Sequence, residues 1–254
     1  MKQILFSFAL TGLLAAPAMA ADMTVGMPTK APPPPVAAPL NWTGFYIGVN
    51  AGYAWGRATA TDLPASNGVC WADCGAQWGP DVNGFTGGLQ AGWNIQLQNW
   101  VLGIEGDVGY LGLKGSAPDT NGVPALVETR GGWFATLRGR AGLLFTPTVL
   151  VYGTGGAIYA HTRTNVFRVV SNLNTNNADP WGWTAGGGIE TRLGPAWSLK
   201  LEYLYYDLGN DWVGGPVGGG GTIQYFAIKQ TGNIVRAGLN YRFGYDAGSN
   251  TARH

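Results

Sequence analysis

The stretch from Asn41 to Trp55 reads NWTGFYIGVNAGYAW, and large apolar residues occupy every second position from Phe45 onward. One parity holds Phe45, Ile47, Val49, Ala51, Tyr53 and Trp55. The other parity holds Tyr46, Gly48, Asn50, Gly52 and Ala54. Because successive side chains of a β-strand point to opposite faces, this period of two predicts a strand with one apolar face.

The composition limits the classes of protein that remain. Charged residues make up 11% of the 254 residues, against about 25% in a typical soluble domain, and there are 42 glycines. The net charge of +1 argues against a nucleic-acid partner, which would require a basic surface. Mean hydropathy is +0.02, and no segment after the N-terminus holds the roughly 18 consecutive apolar residues of a spanning helix. A spanning β-barrel remains possible, because its strands need only about 9–11 residues each.

The N-terminus resembles an export signal followed by a spacer. Lys2, the apolar run from Ile4 to Leu14 and the small residues of Ala18-Met19-Ala20 are typical of a cleaved secretory signal. Pro32 to Pro35 then favour extended polyproline II. We therefore expect a signal peptide (1–20), a proline-rich periplasmic arm (21–40), a β-barrel (41–243) and a C-terminal extension (244–254).

The alternation of the first stretch is repeated in seven later ones. They lie within residues 85–94, 102–110, 133–143, 150–158, 183–190, 197–205 and 235–243. Long polar or glycine-rich links lie near 56–82, 112–131, 162–180 and 209–231, and short turns lie near 96–99, 145–149 and 193–196. Eight strands joined alternately by long and short links predict an all-β fold, an eight-stranded antiparallel up-and-down transmembrane β-barrel. The long loops would lie outside the cell.

We assign the large apolar residues of each strand to the lipid-facing surface. In the fifth strand this parity holds Leu150, Tyr152 and Ile158, and in the last two strands it includes Leu201 and Leu239. Trp100 and Trp197 each open a strand just after a short turn. We expect both in an aromatic belt on the periplasmic side of the membrane.

Eight charged residues fall on the opposite parity, and four acids balance four bases. They are Glu105, Asp107, Arg138, Arg140, Glu190, Lys200, Glu202 and Arg236. An eight-stranded barrel has a lumen just wide enough to be filled by side chains, and buried charges are tolerated only when paired. We therefore expect a lumen filled by an ion-pair network, in which the acids of the third strand meet the bases of the fourth. A catalytic pair at Glu105 and Asp107 and a narrow selective pore are the alternatives.

Other candidate sites are few. Cys70 and Cys74 lie in the first long link, where an oxidising compartment favours a local disulfide. Their spacing is neither a CxxC redox motif nor a zinc site. His161 has no evident serine partner for a catalytic triad, so we expect an exposed rim residue, with a haem contact as the alternative. We predict no enzyme activity, no catalytic or metal-binding residues and no cofactor.

Four motifs lie in order along the chain: NWTGFYIG at 41–48, GGLQAGWN at 87–94, GIEGD at 103–107 and VRAGLNYRF at 235–243. Together they resemble the small alphaproteobacterial outer-membrane β-barrel proteins, the Brucella and rhizobial RopB-like family. The resemblance implies a protein of the Gram-negative cell outer membrane, reached after export, with a structural role in envelope integrity. Some relatives are described as porins or haemin binders. A narrow porin-like channel for small solutes and a binder of haem or a host surface through its loops are therefore the alternative functions.

The resemblance also implies partners. These are outer-membrane lipid and lipopolysaccharide, the barrel-assembly machinery that reads the terminal aromatics Tyr241 and Phe243, and, as a hypothesis, peptidoglycan through the arm. The family normally ends at the terminal aromatic residue, whereas this chain continues to His254.

Cleavage of the signal would leave Ala21 as the new N-terminus, and the resemblance suggests its α-amine as an attachment to peptidoglycan. An extended arm of this kind spans about 3.1 Å per residue, enough to leave the membrane surface. Digestion of purified sacculi should release the protein with a muropeptide on Ala21, as detected by mass spectrometry. Recovery of unmodified Ala21 alone would contradict the attachment.

Overall fold

The computed structural model describes residues 40–70, 74–118, 125–168, 171–178, 181–217 and 222–243. Every regular element within these ranges is a β-strand. No helix among these residues is long and apolar enough to cross a membrane. The predicted signal peptide, the arm up to residue 39 and the C-terminal extension lie outside the described residues, so their boundaries stay predictions.

Thirteen strands lie within the described ranges. They are β1 (Gly44–Leu63), β2 (Gln77–Trp78), β3 (Asp81–Leu97), β4 (Trp100–Leu111), β5 (Lys114–Pro118), β6 (Ala125–Arg130), β7 (Trp133–Thr146), β8 (Val149–Ala160), β9 (Thr162–Arg168), β10 (Ser171–Ala178), β11 (Trp181–Arg192), β12 (Trp197–Val217) and β13 (Thr222–Arg242).

Eight of these strands close a barrel. The antiparallel order is β3-β4-β7-β8-β11-β12-β13-β1, and β1 pairs with β13 on one side and with β3 on the other. Closure leaves the barrel without a free edge, which is the condition for a sheet to sit in lipid. The predicted eight-stranded antiparallel barrel is therefore confirmed.

The two ends of the barrel differ in their connections. Short turns join β3 to β4, β7 to β8 and β11 to β12, where the sequence predicts them. We call this the turn end and the opposite one the hairpin end. At the hairpin end the prediction of long loops is wrong for most of their length, because the strands continue. β1 runs to Leu63, β12 runs to Val217, and the shorter strands β5, β6, β9 and β10 pair with one another in the order β5-β6-β9-β10.

These extensions were missed for a physical reason. Above the membrane both faces of a paired strand can meet water, so the sequence shows no apolar parity there. The backbone N–H and C=O groups still need partners, and continued pairing supplies them.

Large apolar side chains cover the outside of the barrel between two aromatic belts. The turn-end belt is a chain of contacting rings, with centroids 5.1 Å apart in the edge-to-face pairs Trp197–Tyr241 and Tyr241–Phe243 and 5.7 Å apart in the stacked pair Phe243–Phe45. The hairpin-end belt includes Trp133, Tyr159 and Trp181, whose neighbouring rings lie 5.0 and 5.1 Å apart.

The spacing of the belts fits a membrane. Trp100 opens β4 at the turn end and Tyr110 lies near its other end, and both are more than half exposed. About ten residues of a strand tilted by roughly 40° rise about 25 Å. This equals the height of the apolar band on outer-membrane barrels, which is about 25 Å.

In one barrel strand, β8, the lumen-facing and lipid-facing residues are the reverse of those predicted. Leu150, Tyr152 and Ile158 lie inside the lumen and are at most 5% exposed. The outward parity holds small residues such as Gly153 and Gly155. Lipid can cover a face of small side chains, whereas a lumen without large ones would contain voids, so the bulkier parity points inward here.

Charge on the lipid-facing surface should be costly in proportion to depth. Leu201 is 58% exposed and lies four residues from Trp197, whereas Leu239 lies only two residues from Tyr241. Leu201→Arg should therefore cost about 2–4 kcal/mol of unfolding free energy, and Leu239→Arg should cost less. Urea unfolding in lipid vesicles, followed by tryptophan fluorescence, measures both.

Val69→Arg is the matched control, because Val69 is 62% exposed and lies in the connection between β1 and β2, beyond the belts. It should be close to neutral. Equal tolerance of arginine at positions 69, 201 and 239 would mean that the outward surface has been assigned wrongly.

Candidate functional site

The interior of the barrel holds the densest set of charges in the described chain. All eight charged residues that the sequence places on the inward parity lie there, and none is more than 5% exposed. They come from β4 (Glu105, Asp107), β7 (Arg138, Arg140), β11 (Glu190), β12 (Lys200, Glu202) and β13 (Arg236). We refer to these eight residues as the lumen network.

Glu105 is one centre of the lumen network. Its Oε1 accepts hydrogen bonds from Arg138 Nη2 at 2.6 Å and from Lys200 Nζ at 2.7 Å. Its Oε2 accepts from Lys200 Nζ at 2.8 Å and from the Tyr46 hydroxyl at 2.7 Å. A carboxylate has about four acceptor positions, so Glu105 is saturated.

Arg236 and Asp107 form a second centre. Arg236 Nε donates to Glu202 Oε2 at 2.8 Å, and its Nη1 donates to Asp107 Oδ1 at 3.0 Å. Arg138 Nη2 reaches Asp107 Oδ2 at 2.8 Å and also lies between Asp107 and Glu105. The two centres are therefore joined through one guanidinium group.

The prediction that Arg140 pairs with the acids of the neighbouring strand is wrong for its main contact. Arg140 donates instead to Glu190 Oε2 at 2.6 Å, and its distance to Glu105 Oε2 is 3.7 Å. Its guanidinium lies 4.1 Å from the ring centroid of Tyr152, in cation–π geometry. The inward Tyr152 of β8 thus replaces a charged partner on the strand next to β7.

Neutral polar side chains extend the lumen network. Asn50 Nδ2 donates to Gln90 Oε1 at 3.0 Å, Gln90 Nε2 donates to Asn240 Oδ1 at 2.5 Å, and Asn240 Nδ2 donates to Glu190 Oε1 at 3.0 Å. Ser198 adds a 2.6 Å hydrogen bond to Glu190. The polar layer therefore crosses from β1 and β3 to β11.

Inward glycines leave the room that these side chains occupy. A Cβ at Gly52 would lie 2.7 Å from the Cβ of Arg236, and one at Gly238 would lie 3.1 Å from the Cε of Lys200. The first contact is closer than real Cβ atoms approach, whereas the second would require the Lys200 side chain to shift. Glycine at these two positions therefore favours burial of the long basic side chains.

Two apolar clusters enclose the polar layer. Toward the hairpin end lie Ala54, Val82, Leu111, Leu113, Phe134, Ile158, Ala160, Leu204, Tyr206, Leu208 and Ile234. Toward the turn end lie Trp42, Val101, Leu150 and Tyr152, with Leu144 packed against them. We call these the hairpin-end cluster and the turn-end cluster.

The turn-end cluster depends on a residue and two cations that the sequence analysis missed. Trp42 precedes β1, is fully buried and donates its indole N–H to the carbonyl of Pro147 at 3.2 Å. Arg242 donates to the carbonyl of Trp42, and Arg192 donates to that of Asn41 at 3.0 Å. Both guanidinium groups lie within 5.5 Å of the Trp42 ring centroid.

These two arginines change the charge count of the interior. The expected balance of four acids and four bases omits Arg192 and Arg242, which share the inward parity of Glu190 and Arg236. Their described hydrogen bonds are to backbone carbonyls and not to acids. Counting every inward position to the end of each strand would have found them.

The remaining predicted sites lie outside the lumen. Cys70 and Cys74 are joined in a disulfide. His161 stacks on Trp133 at the hairpin end, with ring centroids 6.5 Å apart. Among the described residues, no group of three or more His, Cys, Asp or Glu side chains could hold a metal ion. Tyr241 and Phe243 lie in the turn-end belt.

The ion pair between Arg138 and Glu105 should be strongly coupled. Arg138→Ala or Glu105→Ala each removes one partner of a buried charge, and breaking a buried pair in this way typically costs about 3–5 kcal/mol. The double variant should recover part of that loss, as a double-mutant cycle of urea unfolding detects.

The exposed pair Arg57–Asp81 is the matched control, because its N–O distance is 2.9 Å but its side chains are 64% and 74% exposed. The same cycle there should show little coupling, since exposed pairs contribute little. Comparable coupling energies for the two pairs would contradict a dry lumen.

Comparisons with known proteins agree with this architecture. The family described as "Outer membrane protein beta-barrel domain" matches residues 6–243. The 31 kDa outer-membrane immunogenic protein of Brucella melitensis is 36% identical, over 96% of this chain and 100% of the relative. The 22 kDa outer membrane protein of Rhizobium leguminosarum is 29% identical, over 79% of this chain and 80% of the relative.

Solved structures agree in fold. OprG from Pseudomonas aeruginosa superposes with a TM-score of 0.53 at 16% identity, covering 80% of this chain and 98% of that one. The closed eight-stranded barrel, its two belts and the family match over residues 6–243 lead to one conclusion. This chain belongs to the outer membrane protein beta-barrel domain family and is a β-barrel protein of the outer membrane.

Proposed function

We propose that the barrel is closed and that its role is structural: it stabilises the outer membrane and does not conduct solutes. The observation that carries this proposal is the filling of the lumen by three layers in sequence. The lumen network lies between the turn-end cluster and the hairpin-end cluster.

Burial of the layers supports the proposal. Trp42 and Leu150 at the turn end and Phe134 and Tyr206 at the hairpin end are at most 2% exposed. Arg138 and Lys200 between them are each 1% exposed. A conducting lumen would need a water path past all three layers, and hydrated charges would then show exposure.

The same contacts support a role without catalysis. A general acid or base needs a free position for the substrate proton. The carboxylate of Glu105 is saturated by Arg138, Lys200 and Tyr46. Asp107 is held by Arg138, Arg236 and Thr136.

The outer surface supports a direct function in the envelope. Its apolar band and two aromatic belts make outer-membrane lipid the first partner of the barrel. Lipopolysaccharide, the assembly machinery and peptidoglycan remain proposed partners, the last through the arm.

Planar-bilayer recording tests the closed lumen. The full-length mature protein should give no steady single-channel steps. Trp42→Ala combined with Arg138→Ala and Phe134→Ala removes a large buried side chain from each of the three layers, so this variant should conduct. Trp42→Phe, which keeps an aromatic plug, should stay closed.

Large steady conductance of the unmodified protein, unchanged by the triple variant, would favour the porin-like alternative. The structural role is tested separately in bacterial cells that lack the gene. We expect both the unmodified chain and Trp42→Phe to restore the resistance of these cells to detergent. Failure of both chains to restore detergent resistance would contradict the envelope role. If the chains changed only a property of the cells that depends on haem or on contact with a host, the surface-binder alternative would be favoured.

A further inference from the structure

A row of basic residues crosses three neighbouring strands just beyond the hairpin-end belt. Lys114 of β5 pairs in register with Arg130 of β6, which pairs in register with Arg163 of β9. Lys114 and Arg130 are exposed, whereas the adjacent Leu113 and Thr129 are buried. Lys114 and Arg130 therefore point away from the lumen, toward the surrounding lipid or water.

Lys114 and Arg130 of this row have little compensating negative charge. Elsewhere around the hairpin end, exposed cations have close acid partners, with Arg57 2.9 Å from Asp81 and Lys229 3.2 Å from Asp207. Arg130 makes only a long ion pair, with its Nη2 3.8 Å from Glu128 Oε2. Lys114 has no ion pair with any residue that the structure describes. One side of the barrel thus carries an excess of positive charge.

The height of the row matches that of lipid headgroups. Tyr110 and Trp133 pair in register in the hairpin-end belt. Lys114 follows Tyr110 by four residues and Arg130 precedes Trp133 by three, which places the row about 10 Å farther along the strands. Aromatic belts mark the headgroup level of a membrane, so the row lies where phosphate groups begin.

An apolar groove on the outside of the barrel begins below the row, at Val108 of β4 and Ala135 of β7, and crosses β3, β1 and β13 to Trp197 and Tyr241 of the turn-end belt. Its volume is about 710 Å³, and its lining includes Leu89, Ala91, Gly106, Val108 and Ala135. Gly106 faces outward, and a Cβ there would meet only the carbonyl of Thr136, at 3.6 Å. The packing of the barrel therefore does not require glycine at this position. Because glycine has no side chain, it makes the groove deeper here.

We propose that the groove and the row form one binding site for a phosphorylated glycolipid of the outer leaflet. An acyl chain lies in the groove, and a headgroup phosphate accepts charge-assisted hydrogen bonds from Lys114 and Arg130. The order of the two features along the strands, apolar below and cationic above, selects an amphiphile over a soluble anion. The site depends on the orientation of the barrel in the membrane and not on a closed lumen.

Native mass spectrometry of the detergent-solubilised protein, with diphosphorylated lipid A added, tests the headgroup half of the site. One lipid should remain bound to the unmodified protein. Lys114→Gln combined with Arg130→Gln should lower its affinity about tenfold, as expected for loss of charged hydrogen bonds. The charge-retaining pair Lys114→Arg and Arg130→Lys should keep most of the binding, and Arg57→Gln should leave it unchanged.

Gly106→Leu tests the acyl half, and Gly155→Leu is its matched control. Both glycines face outward with room for a side chain, because a Cβ at Gly155 would meet its nearest atom, the Thr184 carbonyl oxygen, at 3.6 Å. Leucine at 106 fills the groove and should lower lipid A affinity severalfold, whereas leucine at 155 should not. Unheated gel mobility checks that each variant is folded.

Several outcomes would overturn the proposal. They are equal binding of dephosphorylated lipid A, equal losses in Arg57→Gln and in the Lys114/Arg130 glutamine variant, or no difference between the two leucine variants. Competition by inorganic phosphate alone would indicate a simple anion site. Binding of a heparin fragment, but not of lipid A, through Lys114 and Arg130 would assign the row to a soluble polyanion.

Discussion

Compensation of buried charge is the interaction on which the rest of this barrel depends. Glu105, Asp107 and Glu202 share Arg138, Arg236 and Lys200 at distances of 2.6 to 3.2 Å, and all six are nearly inaccessible to solvent. A single unpaired charge in such a place would be costly, but a complete set of pairs can be retained. Replacing both members of a pair would therefore cost less than the sum of the two single replacements.

This constraint extends to residues that carry no charge. Glycines such as Gly52 and Gly238 give the arginine and lysine side chains their space, and hydroxyls from Tyr46 and Tyr152 fill acceptor positions on the carboxylates. Apolar clusters above and below keep water away from the ion pairs, which strengthens their attraction. The outside of the barrel is free of this demand, because lipid adapts to large and small side chains alike.

The sequence predicted the eight members of the lumen network because strand parity is a local property. Which acid meets which base is not local: Arg140 selects Glu190, two strands away in the barrel order, because both side chains point into the narrow lumen. The orientation of β8 was predicted wrongly because one set of its alternate residues is small, and such a set can face either the lipid or the lumen. Trp42 was missed because it precedes the alternating segment, and its contacts with Pro147 and Arg242 depend on the folded turn end.

Exchange of the guanidinium protons with solvent tests the dry, paired lumen most directly. In lipid nanodiscs, nuclear magnetic resonance of arginine-labelled protein can follow each Nε–H, with the exposed Arg57 as an internal reference. We expect the Nε–H groups of Arg138 and Arg236 to exchange much more slowly than that of Arg57. Exchange of all three at similar rates would show that water reaches the lumen network and would contradict a dry, paired lumen.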